Sequence, residues 1–426
     1  MYILFNMKLL NKFKRKLLLL FLLTLSFSLW AEEIVIREIN FVGLKRTKEK
    51  TALQIVRPVE IGDLYSKESE SIIIQELREA GIFNPEITTE VTFDGQEAII
   101  TVNLKDRWTL IPIPIFSFSQ NGAWRVGVLG IEGNLLGYNK TLGLGFFYGS
   151  EGWSLLSFYS DSIFLGTDMT FSSSVNLGLN ETTDENVNEE TIRSYQSDEI
   201  RLGVSLEYPF TEELSFTTGW AYDRSVLRDE SAVATGLDNL NSTGLSGVLK
   251  WKDIYYDIPY EYGLLASINY GWNWGLQETE NYQKIIGKFK WGLNPAWKHL
   301  FLITADTGFS QNLPVQSQFR LGGAPGSLVL PMGRIAAEEY AKASAVYNIP
   351  LWYFPGGTLS MKAFYEAGYY KSDLINQTLF HGPGTGIEIF INNLAIPALQ
   401  FNIAWNLETG RYQFTAGVGM GGGAPD

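Results

Sequence analysis

Two histidines, His299 and His381, are the only side chains of this 426-residue chain that titrate near neutral pH without help. Neither has a Ser or Asp nucleophile arranged beside it in the sequence, so the pattern of a hydrolase is missing, and both read as isolated surface or loop residues. No cysteine occurs, which excludes thiol chemistry and a disulfide framework. The acidic, Asn-rich stretch Glu181–Glu199 lacks the spaced carboxylates and turn glycine of a calcium loop. The sequence thus presents no catalytic residue, no cofactor motif and no metal ligand set. The residues with a definite task act through backbone geometry: Pro112 and Pro114, which lack N–H donors, and a Gly-rich segment flanked by Arg320 and Arg334.

The elements that carry them follow from patterning. Residues 1–31 read as a secretory signal: Lys8, Lys12, Lys14, Arg15 and Lys16 precede the apolar run Leu17–Leu25, and small residues follow at Ser28–Ala31. Without those five positive charges the chain keeps 28 basic residues against 46 acidic ones, a balance of −18, which excludes a nucleic-acid partner. No later stretch is long and apolar enough for a transmembrane helix. Aromatic residues nevertheless reach 14%, and there are 42 glycines.

Residues 33–108 predict one small α+β module of βααββ order. Ile34, Ile36, Ile39 and Phe41 mark a strand that ends at Gly43. Thr47 supplies an N-cap hydroxyl for a helix stopped by Pro58. Gly62-Asp63 turns the chain, and Ser66 caps a second helix with Ile72, Ile73, Leu77 and Ala80 at helical spacing, stopped by Gly81. Strands Ile87–Phe93 and Ala98–Leu104 are joined by Asp94-Gly95. Gly43 and Gly81 read as backbone-geometry residues. From Thr109 to the end the period is two. Ile200, Leu202, Val204, Leu206 and Tyr208 alternate with Arg201, Gly203, Ser205 and Glu207, and Leu214, Phe216, Thr218, Trp220 and Tyr222 alternate with Ser215, Thr217, Gly219 and Asp223. One row suits lipid and the other a polar lumen, and such a sheet must close because lipid cannot satisfy peptide groups. About sixteen antiparallel strands are predicted over 109–426, from 110–118 to 411–420. Glu181–Glu199 reads as a solvated extracellular loop between two of them.

The first module resembles a POTRA domain, on Ile39-Asn40-Phe41-Val42-Gly43-Leu44-Lys45-Arg46-Thr47, Gly62-Asp63-Leu64-Tyr65-Ser66, and Leu77-Arg78-Glu79-Ala80-Gly81-Ile82-Phe83-Asn84-Pro85. POTRA modules precede barrels of the Omp85 superfamily of bacterial surface antigens, and the rest of the chain is similar to such a barrel. Phe41, Gly43, Thr47, Gly62, Leu77, Gly81 and Phe83 are the structural residues this resemblance marks. The segment Gln311–Ala336, with Phe319-Arg320-Leu321-Gly322-Gly323, resembles the family's sixth extracellular loop, which folds back into the lumen and touches the inner wall through an arginine. Here Val329 stands at the arginine, Leu330 at the glycine and Pro331 at the aromatic of that loop's tip. Arg320 or Arg334 is the candidate substitute, with Glu207 or Glu366 as its carboxylate partner. The last strand ends at Met420, short of the tail Gly421–Asp426, where the family has a terminal aromatic residue.

The resemblance implies a non-enzymatic outer-membrane protein with its N-terminal domain in the periplasm, in contact with outer-membrane lipid. It also implies unfolded outer-membrane or secreted protein clients and periplasmic or lipoprotein accessory factors. The resemblance further implies insertion or translocation of protein, or lipid, by templating strands at the seam between first and last strands, here Leu110–Phe118 and Tyr412, Phe414, Val418 and Met420. Pro112 and Pro114 either weaken that seam or precede its first paired residues. The alternative is a passive pore or structural surface protein that keeps the fold without the machinery.

Overall fold

The computed structural model describes residues 34–418, apart from 85, 121, 229–236, 258, 324–326 and 392–396. The expected signal segment, 1–31, and Met420 lie outside the described residues. Internal packing divides the chain after Trp108.

The first unit runs β1 (Val35–Val42), α1 (Glu49–Ile55), α2 (Lys67–Glu79), β2 (Thr88–Asp94) and β3 (Glu97–Asn103), the expected βααββ order. The sheet order is β1-β3-β2, with β1 parallel to β3 and β2 antiparallel to it. Ile36, Ala52, Val56, Ile73, Leu77, Phe83, Ile100 and Val102 are buried between helices and sheet. Ser66 caps α2 through a reciprocal pair with Ser69. Thr47 does not cap α1, contrary to the sequence expectation: Lys48 occupies that position without a side-chain bond. The Thr47 hydroxyl donates instead to Asp106 (2.5 Å), which also accepts the backbone N–H groups of Lys45 and Arg46 (both 2.6 Å). A carboxylate sixty residues downstream outcompetes local capping because it satisfies several donors at once. Gly43 has φ +105°, and a Cβ there would sit 2.0 Å from the Leu104 carbonyl oxygen, so only glycine lets β1 leave the sheet beside β3. Gly62 and Gly81 also have positive φ, and Phe41 lies partly buried on β1.

The second unit is a closed sixteen-strand antiparallel barrel, every ladder joining barrel strands that follow one another along the chain except where β21 (Arg411–Gly417) meets β4 (Leu110–Ser119). Outward rows are apolar and exposed to the membrane, as with Phe216 and Trp220 on β10 (Leu214–Leu227) and Met361 and Tyr365 on β18 (Gly357–Lys371). Inward rows carry Lys362 and Glu366 on β18. Alternation at period two puts the two rows on opposite faces, and closure pairs the peptide groups that hydrocarbon cannot solvate.

The chain enters the barrel at Leu110, and that rim is called proximal here. The opposite, distal rim bears the turns after β4, β6 (Lys140–Gly149), β8 (Thr170–Glu185), β10, β12 (Tyr260–Gly275), β14 (Leu300–Gln311), β18 and β20 (Pro397–Asn406) among the strands of the closed order. Between β14 (Leu300–Gln311) and β17 (Glu339–Phe354), the distal connection holds a small hairpin, β15 (Phe319–Leu321) and β16 (Ile335–Ala337). Glu181–Glu199 is not a solvated loop. β8 (Thr170–Glu185) and β9 (Thr191–Pro209) continue through it as one hairpin paired from Thr170↔Glu207 to Glu185↔Thr191.

Candidate functional site: the barrel seam and the two connections that close the lumen

Among the described residues the β4–β21 seam is the shortest ladder in the wall. Three positions pair, Thr415↔Ser119, Ala416↔Phe118 and Gly417↔Ser117, whereas β4 pairs with β5 (Trp124–Glu132) along its length from Leu110 to Phe118. Two backbone bonds extend the seam: Gln120 N–H donates to the Phe414 carbonyl (3.2 Å) and Val418 N–H to the Phe116 carbonyl (3.1 Å). β21 ends at Gly417, so Val418 follows the strand rather than lying in it.

These bonds fix which edge of β4 faces which neighbour. In an antiparallel ladder one residue's N–H and C=O point the same way and alternate residues point oppositely. Phe116 bonds β21, and Ser119 bonds the Ala123 carbonyl on the β5 side (3.0 Å). Even-numbered residues of β4 therefore aim at the seam. Pro112 and Pro114 share that parity, and both lie inside the strand, opposite Gly130 and Val128. Their missing donors fall on the seam edge, which from Ile111 to Ile115 presents the Pro112 and Pro114 carbonyls with no N–H beside them. Among the described residues this half of β4 pairs only with β5. Leu110 and Phe118 are exposed, as are Phe414 and Tyr412, which stacks on Trp405 at 5.5 Å.

The lumen beside the seam is filled by the β15–β16 segment. Leu321, Val329, Leu330, Ile335 and Ala337 are buried against Tyr340 on β17, Phe364 and Tyr370 on β18, Phe380 on β19 (Thr378–Ile391) and Ala404 on β20 (Pro397–Asn406), with Phe319 at their margin. The tip is held without an arginine. The Ser327 hydroxyl and the backbone N–H groups of Leu328 and Val329 all donate to the Glu366 carboxylate on the inner wall. Val329 itself is fully buried among apolar neighbours. Gly322 (φ +99°) and Gly323 (φ +71°) turn the chain into this tip.

The arginines lie elsewhere than the sequence suggested. Neither meets Glu207, which pairs with Lys250 (2.8 Å), and neither meets Glu366. Both bind the β8–β9 hairpin instead. Arg320 pairs with Asp184 and donates to the Tyr195 hydroxyl (3.0 Å). Arg334 pairs with Glu151 (3.1 Å), and its carbonyl accepts the Glu185 N–H (2.9 Å). Arg193 on the hairpin pairs with Asp184 and Asp373 (2.9 Å) and donates to Gln318 (3.0 Å). Asp373 lies in the turn after β18. Its burial, which alone would raise the carboxyl pKa, is outweighed by hydrogen bonds from Gln318 and Arg193, so it sits below the ordinary carboxylate range. For Glu151, also in a turn, burial prevails over Arg334 and Arg125 and the value is raised. Charged pairs of this kind are costly to desolvate and costly to break singly, so the network fixes one geometry for the distal mouth.

The inner wall is divided. Strands near the seam face the lumen with Ile113, Leu129, Phe147, Leu156 and Phe158, whereas β11 (Leu240–Asp257) to β18 face it with Lys250, Lys288, Asp306, Lys342 and Glu366. The histidines are not isolated. His299 Nδ1 lies 2.8 Å from the Tyr347 hydroxyl and His381 Nδ1 lies 2.6 Å from that of Tyr365, with His381 Nε2 3.1 Å from Glu408. Both tie neighbouring strands together.

In the first unit, the β1 edge is covered by residues 62–65, through Ile36 N–H to the Asp63 carbonyl (2.8 Å) and Tyr65 N–H to the Ile34 carbonyl (2.7 Å). The outer edge of β2 pairs with nothing further among the described residues, and Phe93 on it is exposed beside Tyr65 (5.4 Å).

No curated protein sequence matches the chain. Several solved structures share its fold, and three illustrate the likeness. BamA from Haemophilus ducreyi lacking POTRA domains 1–3 has a TM-score of 0.67 at 15% identity, covering 90% of this chain and 84% of that one. CdiB from Acinetobacter baumannii scores 0.63 at 11% (91% and 74%), and CdiB from Escherichia coli scores 0.62 at 13% (91% and 76%). The surface antigen variable number repeat, the POTRA domain, matches residues 34–107. With the Omp85 superfamily domain matching residues 134–423, the chain belongs to the Omp85 superfamily and is a bacterial outer-membrane barrel.

Proposed function

We propose that this protein assists insertion or translocation of protein at the outer membrane by lending the seam edge of β4 to a client strand, with the POTRA domain in the periplasm receiving the client first. The observation that carries this reading is the β4–β21 seam, which among the described residues pairs at three positions and leaves the part of β4 with Pro112 and Pro114 paired to β5 alone. A strand there gains partners for its N–H groups but few for its carbonyls, so it binds and leaves readily. The driving force is strand pairing and burial of the client's apolar row in lipid, so no catalytic group is needed. The exposed β2 edge of the POTRA domain suits an extended segment by strand addition. Accessory factors from the periplasm or among lipoproteins complete the proposal.

A passive pore is the competing reading, and Val329 at the arginine position favours it. Against it stands the lumen, packed by the β15–β16 segment and spanned by the β8–β9 hairpin. Depletion of the protein followed by a census of the outer-membrane proteome and lipid asymmetry tests the assignment. Loss of specific barrel or secreted proteins is expected, and an unchanged census overturns it. In planar bilayers the expected current is small and intermittent, whereas a large steady current indicates the pore.

A further inference from the structure

Among the described residues, the far end of β21 has no strand partner on its seam side beyond Phe414, yet it is held. One carboxylate does this from across the barrel mouth. Glu189, at the tip of the β8–β9 hairpin, accepts Gln413 Nε2 on Oε1 (2.8 Å) and faces Arg411 Nη1 with Oε2 (2.8 Å). Arg411 and Gln413 are two apart on one strand and share its inward face, so the two carboxylate oxygens grip successive residues of one row. In the closed order, β8 is separated from β21 by four strands, so the hairpin must span the mouth to arrive there.

The tip is built to present this group. Glu189 has φ +60°, a left-handed conformation a non-glycine residue adopts only when held. Asn186 holds it: its side-chain oxygen accepts the N–H groups of Asn188 (2.9 Å) and Glu190 (3.1 Å), and its carbonyl accepts that of Glu189 (2.9 Å). Val187 packs on the core formed by the lumenal segment. The hairpin is bound to that segment through Asp184–Arg320 and the Glu185–Arg334 backbone bond, and the segment in turn is seated on Glu366.

We propose that Glu189 is a clasp on the terminal strand: it keeps the distal end of the seam shut, and it lets go when the lumenal segment leaves Glu366 and carries the hairpin with it. The clasp gives the seam reading above its control element and rests on that reading for its purpose, but its test does not depend on transport. The chain has no cysteine, so Ser119→Cys with Thr415→Cys places the only thiols at a seam pair, and Thr218→Cys with Gly247→Cys places them in the long β10–β11 ladder as a control. Disulfide yield is measured in the full-length protein in lipid vesicles, with heat-modifiable gel migration as the check of folding. Glu189→Ala should lower the seam yield about tenfold, from loss of one charged hydrogen bond and one ion pair, while the control yield stays unchanged. Charge exchange, Glu189→Arg with Arg411→Glu, should restore it, and Arg320→Ala, which frees the hairpin just below its tip at Asp184, should lower it too. A seam yield unmoved by Glu189→Ala overturns the clasp, as does an equal fall at both pairs. Depletion that leaves the proteome unchanged would remove the transport reading and leave this result standing.

Discussion

Ser327 donates its hydroxyl to the carboxylate of Glu366, a residue on the inner wall of β18 that is 4% exposed. With the N–H groups of Leu328 and Val329 it completes a set of three donors from one turn. The pairing keeps the lumenal connection on the wall although Val329 occupies the arginine position of the family's loop tip. Two of the donors are backbone, so their strength depends on the turn's shape rather than on any side chain. Ser327→Ala is expected to cost ~1–2 kcal/mol, and Glu366→Ala ~3 kcal/mol or more, because it strands three buried donors. Glu366→Gln, which keeps an acceptor but loses the charge, falls between. The midpoint of heat-modifiable migration on a gel ranks the three, and equal midpoints for Ser327→Ala and Glu366→Ala would contradict the donor set.

The proline edge makes the opposite kind of prediction, a gain of order that harms function. Pro112→Ala with Pro114→Ala returns two N–H donors to the seam side of β4 without touching its bonds to β5. Each new bond stabilises by ~0.5–1.5 kcal/mol where a partner strand is present. With a strand bound on that edge, amide exchange along β4 should slow in the double variant, and the protein should fail to complement depletion. Normal complementation with slowed exchange would mean that the seam need not open.

These predictions divide between what the sequence displayed and what it concealed. Lipid writes its demand into every second residue, so Phe216 and Trp220, or Met361 and Tyr365, marked their strands, and all sixteen were locatable by period. The distal part of β8–β9 escaped because it bends over the mouth. There neither face meets lipid, so Asp184, Arg193 and Tyr195 can be buried in polar company with no apolar row to betray a strand. The Glu366 anchor escaped because N–H donors belong to every residue and carry no sequence signature. Thr47 fits a local capping pattern, but that pattern carries no trace of Asp106, which takes its hydroxyl.

Asp106 gives the POTRA domain an acid-sensitive joint. Burial would raise its carboxyl pKa, but hydrogen bonds from Arg46, Thr47 and Lys45 outweigh burial and hold it below the usual value of 3.8. A depressed carboxylate contributes stability that is complete above its unfolded value and is lost as pH falls through the folded one. Amide protection over residues 45–55 in the full-length protein should therefore be constant above about pH 5 and decline below about pH 4. Asp106→Asn should lower protection at neutral pH by ~1–2 kcal/mol and flatten the acid dependence. A variant that keeps the wild-type pH profile would assign the acid sensitivity to Glu70, whose carboxylate is also held low, by hydrogen bonds from Thr89 and Tyr65.

Gly322 and Gly333 separate two reasons for glycine in the lumenal segment. Both have positive φ, +99° and +67°, and the Gly333 N–H donates to the Gly322 carbonyl (3.2 Å), closing the neck of the β15–β16 hairpin. A Cβ on Gly333 meets nothing within 4 Å, whereas one on Gly322 would lie 1.9 Å from the Pro331 carbonyl oxygen. Gly333→Ala carries only the left-handed conformational penalty, ~1–2 kcal/mol. Gly322→Ala adds a backbone collision that no rotamer relieves, so the two arms of the hairpin must part and expose Leu321 and Ile335. Its cost should exceed that of Gly333→Ala by ~2 kcal/mol or more. The larger effect should also spread: if the segment leaves the wall, Arg320 and Arg334 leave Asp184 and Glu185, and the β8–β9 hairpin loosens. Protease nicking between Glu181 and Glu199 in intact vesicles reports this, with cleavage expected in Gly322→Ala and little in Gly333→Ala. Equal resistance in both variants would show that the hairpin spans the mouth without help from the lumenal segment.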